Sequence, residues 1–167
     1  SNGGAIDIPG NNTDIIINRS TIVSNYGGYY GGISSSSDIE INSSIIRSNS
    51  CGFGSGAQIN LTAYNREIFL LFSNLQNGGS NDVYTGCSGC TFNDVYGNIN
   101  EDPLFTDHDN SDFSLQGGSP CIDTGDPNNS LDFDGTRSDM GAITYNQSPV
   151  LGCTDINACN YNPYASI

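Results

Sequence analysis

Residues 14–25, DIIINRSTIVSN, and residues 38–49, DIEINSSIIRSN, are two copies of one pattern. A looser third copy, EIFLLFSNLQNG, occupies residues 67–78, so that successive copies begin 24 and 29 residues apart. A second short apolar segment precedes each copy: GGAIDI from Gly3, GGISSSS from Gly31 and SGAQINL from Ser55. Repeats of this length indicate an architecture in which one unit cannot bury its apolar face alone.

The repeats contain only strand and turn signals, because apolar residues alternate with polar ones between Gly-, Asn- and Ser-rich turns. Equivalent apolar positions of successive copies would stack as inward-facing ladders about 4.8 Å apart. The three predicted ladders are Ile15/Ile39/Ile68, Ile17/Ile41/Leu70 and Ile22/Ile46/Leu75. We therefore predict an all-β fold, a parallel β-helix of three to four rungs over residues 1–101. The alternative is an antiparallel sandwich of short strands with accidental similarity.

Charge and cysteine content limit the class of protein. The 167 residues carry four basic side chains, all arginine, against 18 acidic ones, for a net charge of −14. Such a field repels nucleic acid and anionic membranes, and the longest apolar run, residues 68–72, is too short to insert into a bilayer. Six cysteines in an acidic chain indicate an oxidising compartment. We expect a secreted, extracellular or cell-surface protein, present here as a mature piece or a fragment.

The repeat stops at Asp102, where an Asp-rich segment of the sequence begins. The blocks DPLF, GSPCIDTG and DFDGTRSDMGA follow one another between residues 102 and 142. In this order they resemble the C-terminal closing segment of secreted bacterial right-handed parallel β-helix proteins. The resemblance implies a right-handed β-helix and an irregular Asp/Gly-rich C-terminal cap at residues 102–146. Thr144 departs from the family, which usually has an acidic residue there, and we expect little structural cost.

The tail, residues 147–167, contains GCTDINACNYNP from Gly152. This motif is similar to the thrombospondin type-3-like calcium modules found as small appendages on secreted bacterial proteins. Such modules usually run on to a further cysteine, so we expect the tail to be truncated. The resemblance implies Ca²⁺ at Asp155 with neighbouring asparagines, and we predict a disulfide between Cys153 and Cys159.

Two further groups of aspartates lie in segments rich in turn-forming residues. Calcium sites, which need several oxygen ligands, are assembled from such clusters. The candidate calcium ligands are Asp107, Asp109 and Asp112, followed by Asp132, Asp134 and Asp139. Their spacing does not match an EF-hand loop. The alternative is that these side chains satisfy their own turns, with Arg137 neutralising one or two of them.

The other four cysteines are Cys51, Cys87, Cys90 and Cys121. Cys87 and Cys90 form a CxxC motif, but no helix follows it to lower a thiol pKa, so we expect structural disulfides instead of redox chemistry. The four residues allow three connectivities, and the sequence does not choose among them.

The sequence offers two kinds of candidate glycan site, one for covalent attachment and one for binding. Asn18 and Asn42 are sequon asparagines at equivalent repeat positions, which makes them candidate glycosylation sites on one face. Tyr26, Tyr29 and Tyr30 lie in Gly-rich loop text, where they could stack on extracellular sugars or cap the core beneath a loop.

No residue is predicted to be catalytic. Enzymatic β-helices need a Lys or Arg base or a tight cluster of acids. Here lysine is absent, Arg19 and Arg47 fall at different repeat positions, and the one histidine, His108, lies among acids with no serine partner in view. We therefore expect a non-enzymatic structural module of a bacterial surface or filament-forming protein, a stalk, adhesin or self-assembling fibre subunit. It would associate end to end or with upstream rungs. The alternative is the C-terminal part of a polysaccharide-binding or polysaccharide-degrading β-helix.

Overall fold

A computed structural model describes residues 4–10, 15–53, 57–79, 82–148, 153, 155 and 156. These residues form an all-β parallel β-solenoid of about three turns, which confirms the predicted fold class. Within these ranges, helical structure is limited to short 3₁₀ segments at Gln76–Gly79 and His108–Asn110. No helix in the described part has the length and apolarity needed to cross a membrane.

The strands are short and follow one another around the solenoid. In chain order they are β1 (Ile6–Ile8), β2 (Ile15–Asn18), β3 (Thr21–Val23), β4 (Tyr26–Gly27), β5 (Ile33–Ser35), β6 (Ile39–Asn42), β7 (Ile45–Arg47), β8 (Ser50–Cys51), β9 (Ile59–Leu61), β10 (Glu67–Leu71), β11 (Asn74–Leu75), β12 (Val83–Tyr84), β13 (Thr91–Tyr96), β14 (Phe105–Asp107) and β15 (Asp112–Leu115).

Equivalent strands of successive turns pair in parallel. One sheet has the order β1-β5-β9-β12, a second β13-β10-β6-β2 and a third β11-β7-β3, while β4 and β8 form a two-stranded corner. An isolated parallel bridge between Asn74 and Ile99 continues the third sheet. The last pair, β14 and β15, is antiparallel and follows the solenoid.

All three predicted ladders are confirmed residue for residue. Ile39 pairs with Ile15 and Ile68, and the other two ladders show the same register. Their side chains face one interior, where Ile39, Ile41 and Ile68 are at most 1% exposed. Alternation with period two places these side chains inside, and in-register pairing stacks them on their counterparts.

Polar side chains also stack, at the corner between the second and third sheets. The Ser20 N–H donates to Ser44 Oγ at 3.1 Å, the Ser44 N–H to Ser73 Oγ at 3.0 Å and the Ser73 N–H to Asn98 Oδ1 at 2.9 Å. Each turn therefore supplies an acceptor for a backbone donor of the turn before it. This satisfies amides that the sharp corner would otherwise leave unpaired.

The predicted core can be tested by truncating one ladder side chain. Ile41→Ala, at a fully buried position (0% exposed), should lower the free energy of unfolding by about 2–5 kcal/mol, because a cavity would open between Ile17 and Leu70. Ile16→Ala is the matched control on the same sheet, since that side chain is 63% exposed and should change stability by no more than about 0.5 kcal/mol. Urea denaturation measures both, and equal effects would contradict the ladder.

Candidate functional site

Residues 102–145, here called the flank segment, lie along the side of the solenoid and contact every turn. The Ala142 N–H donates to Thr21 Oγ1 in the first turn at 3.0 Å, and the Gly141 N–H donates to the Ser43 carbonyl in the second at 2.7 Å. Asn74 in the third turn donates through Nδ2 to Cys121 Sγ at 3.2 Å. The segment that the sequence analysis treated as a terminal cap thus braces three turns at once.

The contact between flank segment and solenoid has its own apolar core. Val23, Ile45 and Phe72 project outward from successive turns, and they pack against buried side chains of the flank segment: Leu115, Cys121 and Met140. Gly141 passes so close to the solenoid that an added Cβ would lie 2.9 Å from both Ile45 Cδ1 and Thr21 Oγ1. With a φ of +99° as well, this position requires glycine.

An ion pair links the first turn to the flank segment. The Arg19 guanidinium donates to Asp132 Oδ1, and the Asp132 side chain is only 2% exposed. Asp132 Oδ2 accepts the Asp139 N–H at 2.8 Å. Asp132 is thus held by Arg19 of the solenoid, while Arg137 donates to the carbonyls of Gly125 and Thr124. The alternative interpretation of these acids named Arg137 as the residue that neutralises them. For Asp132, the arginine that does so is Arg19.

Asp139 lies at the centre of the flank segment and is 1% exposed. Its carboxylate accepts the Asp123 N–H at 2.8 Å and the Tyr145 N–H at 2.6 Å. Burial raises the pKa of Asp139; these two hydrogen bonds oppose that effect, and the neighbouring charges of Asp132 and Asp123 add to it. The carboxylate therefore serves as an internal acceptor that ties three parts of the segment together.

Asp126 joins the second turn. It accepts from Asn42 Nδ2 at 2.8 Å and from the Asn128 N–H at 2.8 Å. Burial opposes ionisation of Asp126, but the hydrogen bonds from Asn42 and Asn128 and the charge of Arg137 outweigh it and lower its pKa.

Asp134 accepts hydrogen bonds from its own turn and from a residue just after the flank segment. The Gln147 N–H donates to its Oδ2 at 2.7 Å, and the Thr136 hydroxyl donates to its Oδ1 at 2.7 Å. These donors, Gln147 first and Thr136 second, lower the pKa of Asp134. Both carboxylate oxygens of Asp134 therefore accept hydrogen bonds within the protein.

The remaining candidate calcium ligands lie in and beside the β14–β15 connection. Asp107 caps the 3₁₀ segment by accepting from Asn110, and Asp112 accepts from the Ser114 hydroxyl at 2.6 Å and N–H at 3.1 Å. The hydroxyl bond is the main reason why the pKa of Asp112 is lowered. Asp109 points into solvent, with 99% of its side chain exposed. Within the described ranges, no group of three or more His, Cys, Asp or Glu side chains could hold a metal ion.

The tail adds little to this picture. Asp155 is described and exposed, whereas its asparagine companions and Cys159 lie outside the described residues. Calcium binding there and the disulfide between Cys153 and Cys159 stay predictions.

Among the four other cysteines, the structure shows one disulfide, and Cys121 is not in it, so none of the three full connectivities is formed. Cys87 and Cys90 form a disulfide with their Cα atoms 5.5 Å apart, and Cys51 lies in β8. Cys121 is a fully buried thiol, and burial is the main cause that raises its pKa. The CxxC motif thus closes a loop at the surface of the solenoid.

The two candidate glycosylation sites differ although they pair in register. Asn18 is exposed. Asn42 is 9% exposed, and its amide nitrogen donates to Asp126. A glycan on that nitrogen would have to replace the hydrogen bond to Asp126, and glycosylation of both asparagines stays a prediction.

His108 has a serine partner, Ser24, which is not apparent in the sequence. Its Nε2 lies 2.7 Å from Ser24 Oγ, across 84 residues of sequence, and its Nδ1 lies 3.6 Å from Asp109 Oδ1. The Asp109 side chain is almost fully exposed, and a carboxylate in water holds an imidazole only weakly. Beside this group is a cleft of about 450 Å³, whose lining includes Arg47, Asp102 and His108.

A second cleft, of about 340 Å³, lies on the outer face of the first sheet and is here called the tyrosine cleft. Its lining includes Tyr30, Tyr64, Tyr84, Asn60 and Thr62. Asn60 pairs with Tyr84 in register, a juxtaposition that the repeat did not reveal, because the three copies found in the sequence end at residue 78. Of the tyrosines singled out in the sequence, Tyr30 alone lines the cleft, while Tyr26 and Tyr29 are 71% and 50% exposed.

Comparison with protein-family models, with curated proteins and with solved structures finds no match for this chain.

The bracing ion pair can be tested by a double-mutant cycle. Arg19→Ala should lower the free energy of unfolding by about 2–3 kcal/mol, because it leaves Asp132 charged and buried. In the cycle with Asp132→Asn we expect a coupling energy of at least about 1 kcal/mol, measured by urea denaturation. Additive single effects would show that the two side chains do not interact.

The role of Asp134 predicts a dependence on pH. Its pKa in the folded chain is below the ordinary aspartate value of about 3.9, so its stabilisation is present above that pH and lost as pH falls through the folded pKa. Asp134→Asn should therefore destabilise the chain at pH 7 and flatten the fall of stability below about pH 4. Asp109→Asn is the control, and thermal unfolding between pH 2 and pH 7, about the range of carboxylate titration, measures both. An unchanged acid limb for Asp134→Asn would contradict the assignment.

Proposed function

We propose that this chain is an extracellular structural module of a bacterial surface or filament-forming protein, a stalk, adhesin or self-assembling fibre subunit. The observation that carries the proposal is the combination of stacked parallel turns with a flank segment that braces all of them. Such an object transmits force along a stack of hydrogen-bonded strands and resists the separation of its turns. The secreted bacterial setting is supported by the resemblance of residues 102–145 to a closing segment.

The acids of the flank segment support a non-enzymatic role. Asp132, Asp134 and Asp139 each accept hydrogen bonds from backbone N–H groups within the segment. Carboxylates used in this way hold turns together, and their oxygens are engaged before any substrate arrives. The abundance of aspartate in this region is explained by turn and bracing contacts.

We also propose that further solenoid turns pair with the edge strands of the first turn. In the described part of the chain, β1, β2 and β3 each have a paired strand on one side only. Ile6 and Ile15 lie at that side of the core and are only partly buried. An edge of parallel strands is a template for more strands, which would come from the same protein or from a second copy.

The test measures self-association of the purified chain by sedimentation velocity and by negative-stain electron microscopy. We expect concentration-dependent end-to-end oligomers, because a free edge in the isolated chain accepts the edge of a neighbour. Ile16→Lys, on the edge strand β2, should suppress them, since lysine on an edge strand disfavours pairing.

Phe69→Lys is the matched control, because Phe69 also faces outward, with 37% exposed, but lies on β10 between two paired strands. It should leave the oligomers intact. A chain that stays monomeric at every concentration, or equal suppression by both variants, would overturn the proposed edge pairing.

A further inference from the structure

The lining of the tyrosine cleft contains a buried acceptor to which no described residue donates. Asn60 is 3% exposed and forms part of the cleft lining. In the part of the chain that the structure describes, its Oδ1 is buried and accepts no hydrogen bond. Buried polar atoms are nearly always paired, so an orphaned oxygen on a side chain that lines an open cleft indicates a place for a donor from a ligand.

The walls of the cleft are aromatic rings that remain in contact with water. The Tyr64 side chain is 72% exposed and that of Tyr84 is 42% exposed. Tyr84 lies against Gly86, where an added Cβ would be 2.1 Å from the ring, so glycine at this position allows the ring to settle on the backbone. A tyrosine has an apolar face and a polar tip, and exposed rings on a fixed scaffold are typical of recognition surfaces.

The rim of the cleft is held in place before any ligand binds. Cys87 and Ser88 line it, and the disulfide from Cys87 to Cys90 closes the loop that carries them. The Asn65 N–H donates to the Ser88 carbonyl at 3.0 Å, which ties this loop to the one carrying Tyr64. A preorganised rim lowers the entropy lost on binding.

The chemistry of the lining selects the ligand. The described residues that line the cleft carry hydroxyl, amide, disulfide, aliphatic and aromatic groups and no charged side chain, in a chain whose net charge is −14. A neutral ligand with an apolar face and several hydroxyl donors fits this lining, and a volume of about 340 Å³ accommodates a small unit. A proline-rich peptide also stacks on tyrosine, but proline has no N–H to offer the Asn60 oxygen.

We propose that the tyrosine cleft binds a neutral pyranose unit of a polysaccharide, with a sugar hydroxyl donating to Asn60 Oδ1 and the sugar ring stacked on Tyr64 and Tyr84. The site does not depend on the pairing of the first-turn edge, so the two proposals fail separately. It would give the module a means of attaching to neutral glycans outside the cell.

The experiment titrates the purified chain with four neutral hexasaccharides: β-1,4-glucan, β-1,3-glucan, β-1,4-mannan and α-1,4-glucan. Oligogalacturonate and a polyproline peptide serve as charged and peptide comparisons. We expect at least one neutral hexasaccharide to bind with a Kd of about 1 mM or below by calorimetry. The Asn60 side-chain amide resonances should shift in the ¹⁵N spectrum during that titration.

Tyr64→Ala should weaken the binding about tenfold or more, in line with the loss of one stacked ring. Tyr26→Ala is the matched control, because Tyr26 is 71% exposed and lies outside the cleft lining. It should change the Kd less than about twofold. Both positions are exposed, and unchanged thermal unfolding checks that each variant is folded.

Four results would overturn the proposal: no binding of any neutral hexasaccharide, binding of oligogalacturonate or the peptide in place of the sugars, binding without a shift at Asn60, or equal weakening by the two tyrosine variants.

Discussion

In-register stacking of aliphatic side chains on neighbouring turns is the interaction on which this structure depends. A single turn exposes most of its apolar residues, and only the next turn covers them, as Ile41 is covered by Ile17 and Leu70. The burial of several isoleucine and leucine side chains supplies the main favourable free energy of such a fold. The strands are short, and the sheets hold because the same register is kept from turn to turn.

The stacked core also explains the polar features around it. Because each turn must change direction at the same place, Arg19, Ser43 and Phe72 share the left-handed backbone region, with φ of 46°, 48° and 44°. L-amino acids with side chains rarely adopt this region, so the corner needs compensation. The serine and asparagine side chains that accept amide protons from the turn before provide it. The flank segment adds a second, lateral core and pins the turns with Asp126, Asp132 and Gly141.

The sequence predicted the solenoid well because its signal is periodic. Alternation with period two and a repeat of 24 residues placed Ile22 opposite Ile46, and the structure has that pair. The path of the flank segment was not predictable in this way, since contacts such as Arg19 with Asp132 join residues 113 positions apart with no recurring pattern. The same holds for Ser24 and His108. The Asn60–Tyr84 pair was missed because Tyr84 lies beyond the third copy of the repeat, at residues 67–78.

Two roles for the acids and tyrosines of this chain follow from physical chemistry. Aspartates with bonded oxygens act as structural acceptors, whereas Asn60 has an oxygen that accepts from no residue the structure describes and lies among exposed rings. The first group supports a braced, force-resistant module, and the second supports attachment to a neutral glycan. The side chains of the two groups are all polar. They differ in their exposure to solvent and in whether their oxygens already accept hydrogen bonds.

Native-state hydrogen exchange of the whole chain tests the central claim, that solenoid and flank segment form one cooperative unit. We expect the amides of the solenoid at Ile41, Ile46 and Leu70 and those of the flank segment at Asp132, Asp139 and Gly141 to exchange with the same free energy of opening, close to that of global unfolding. Rapid exchange throughout residues 119–145 beside a protected solenoid would contradict it, because the flank segment would then be a separable appendage.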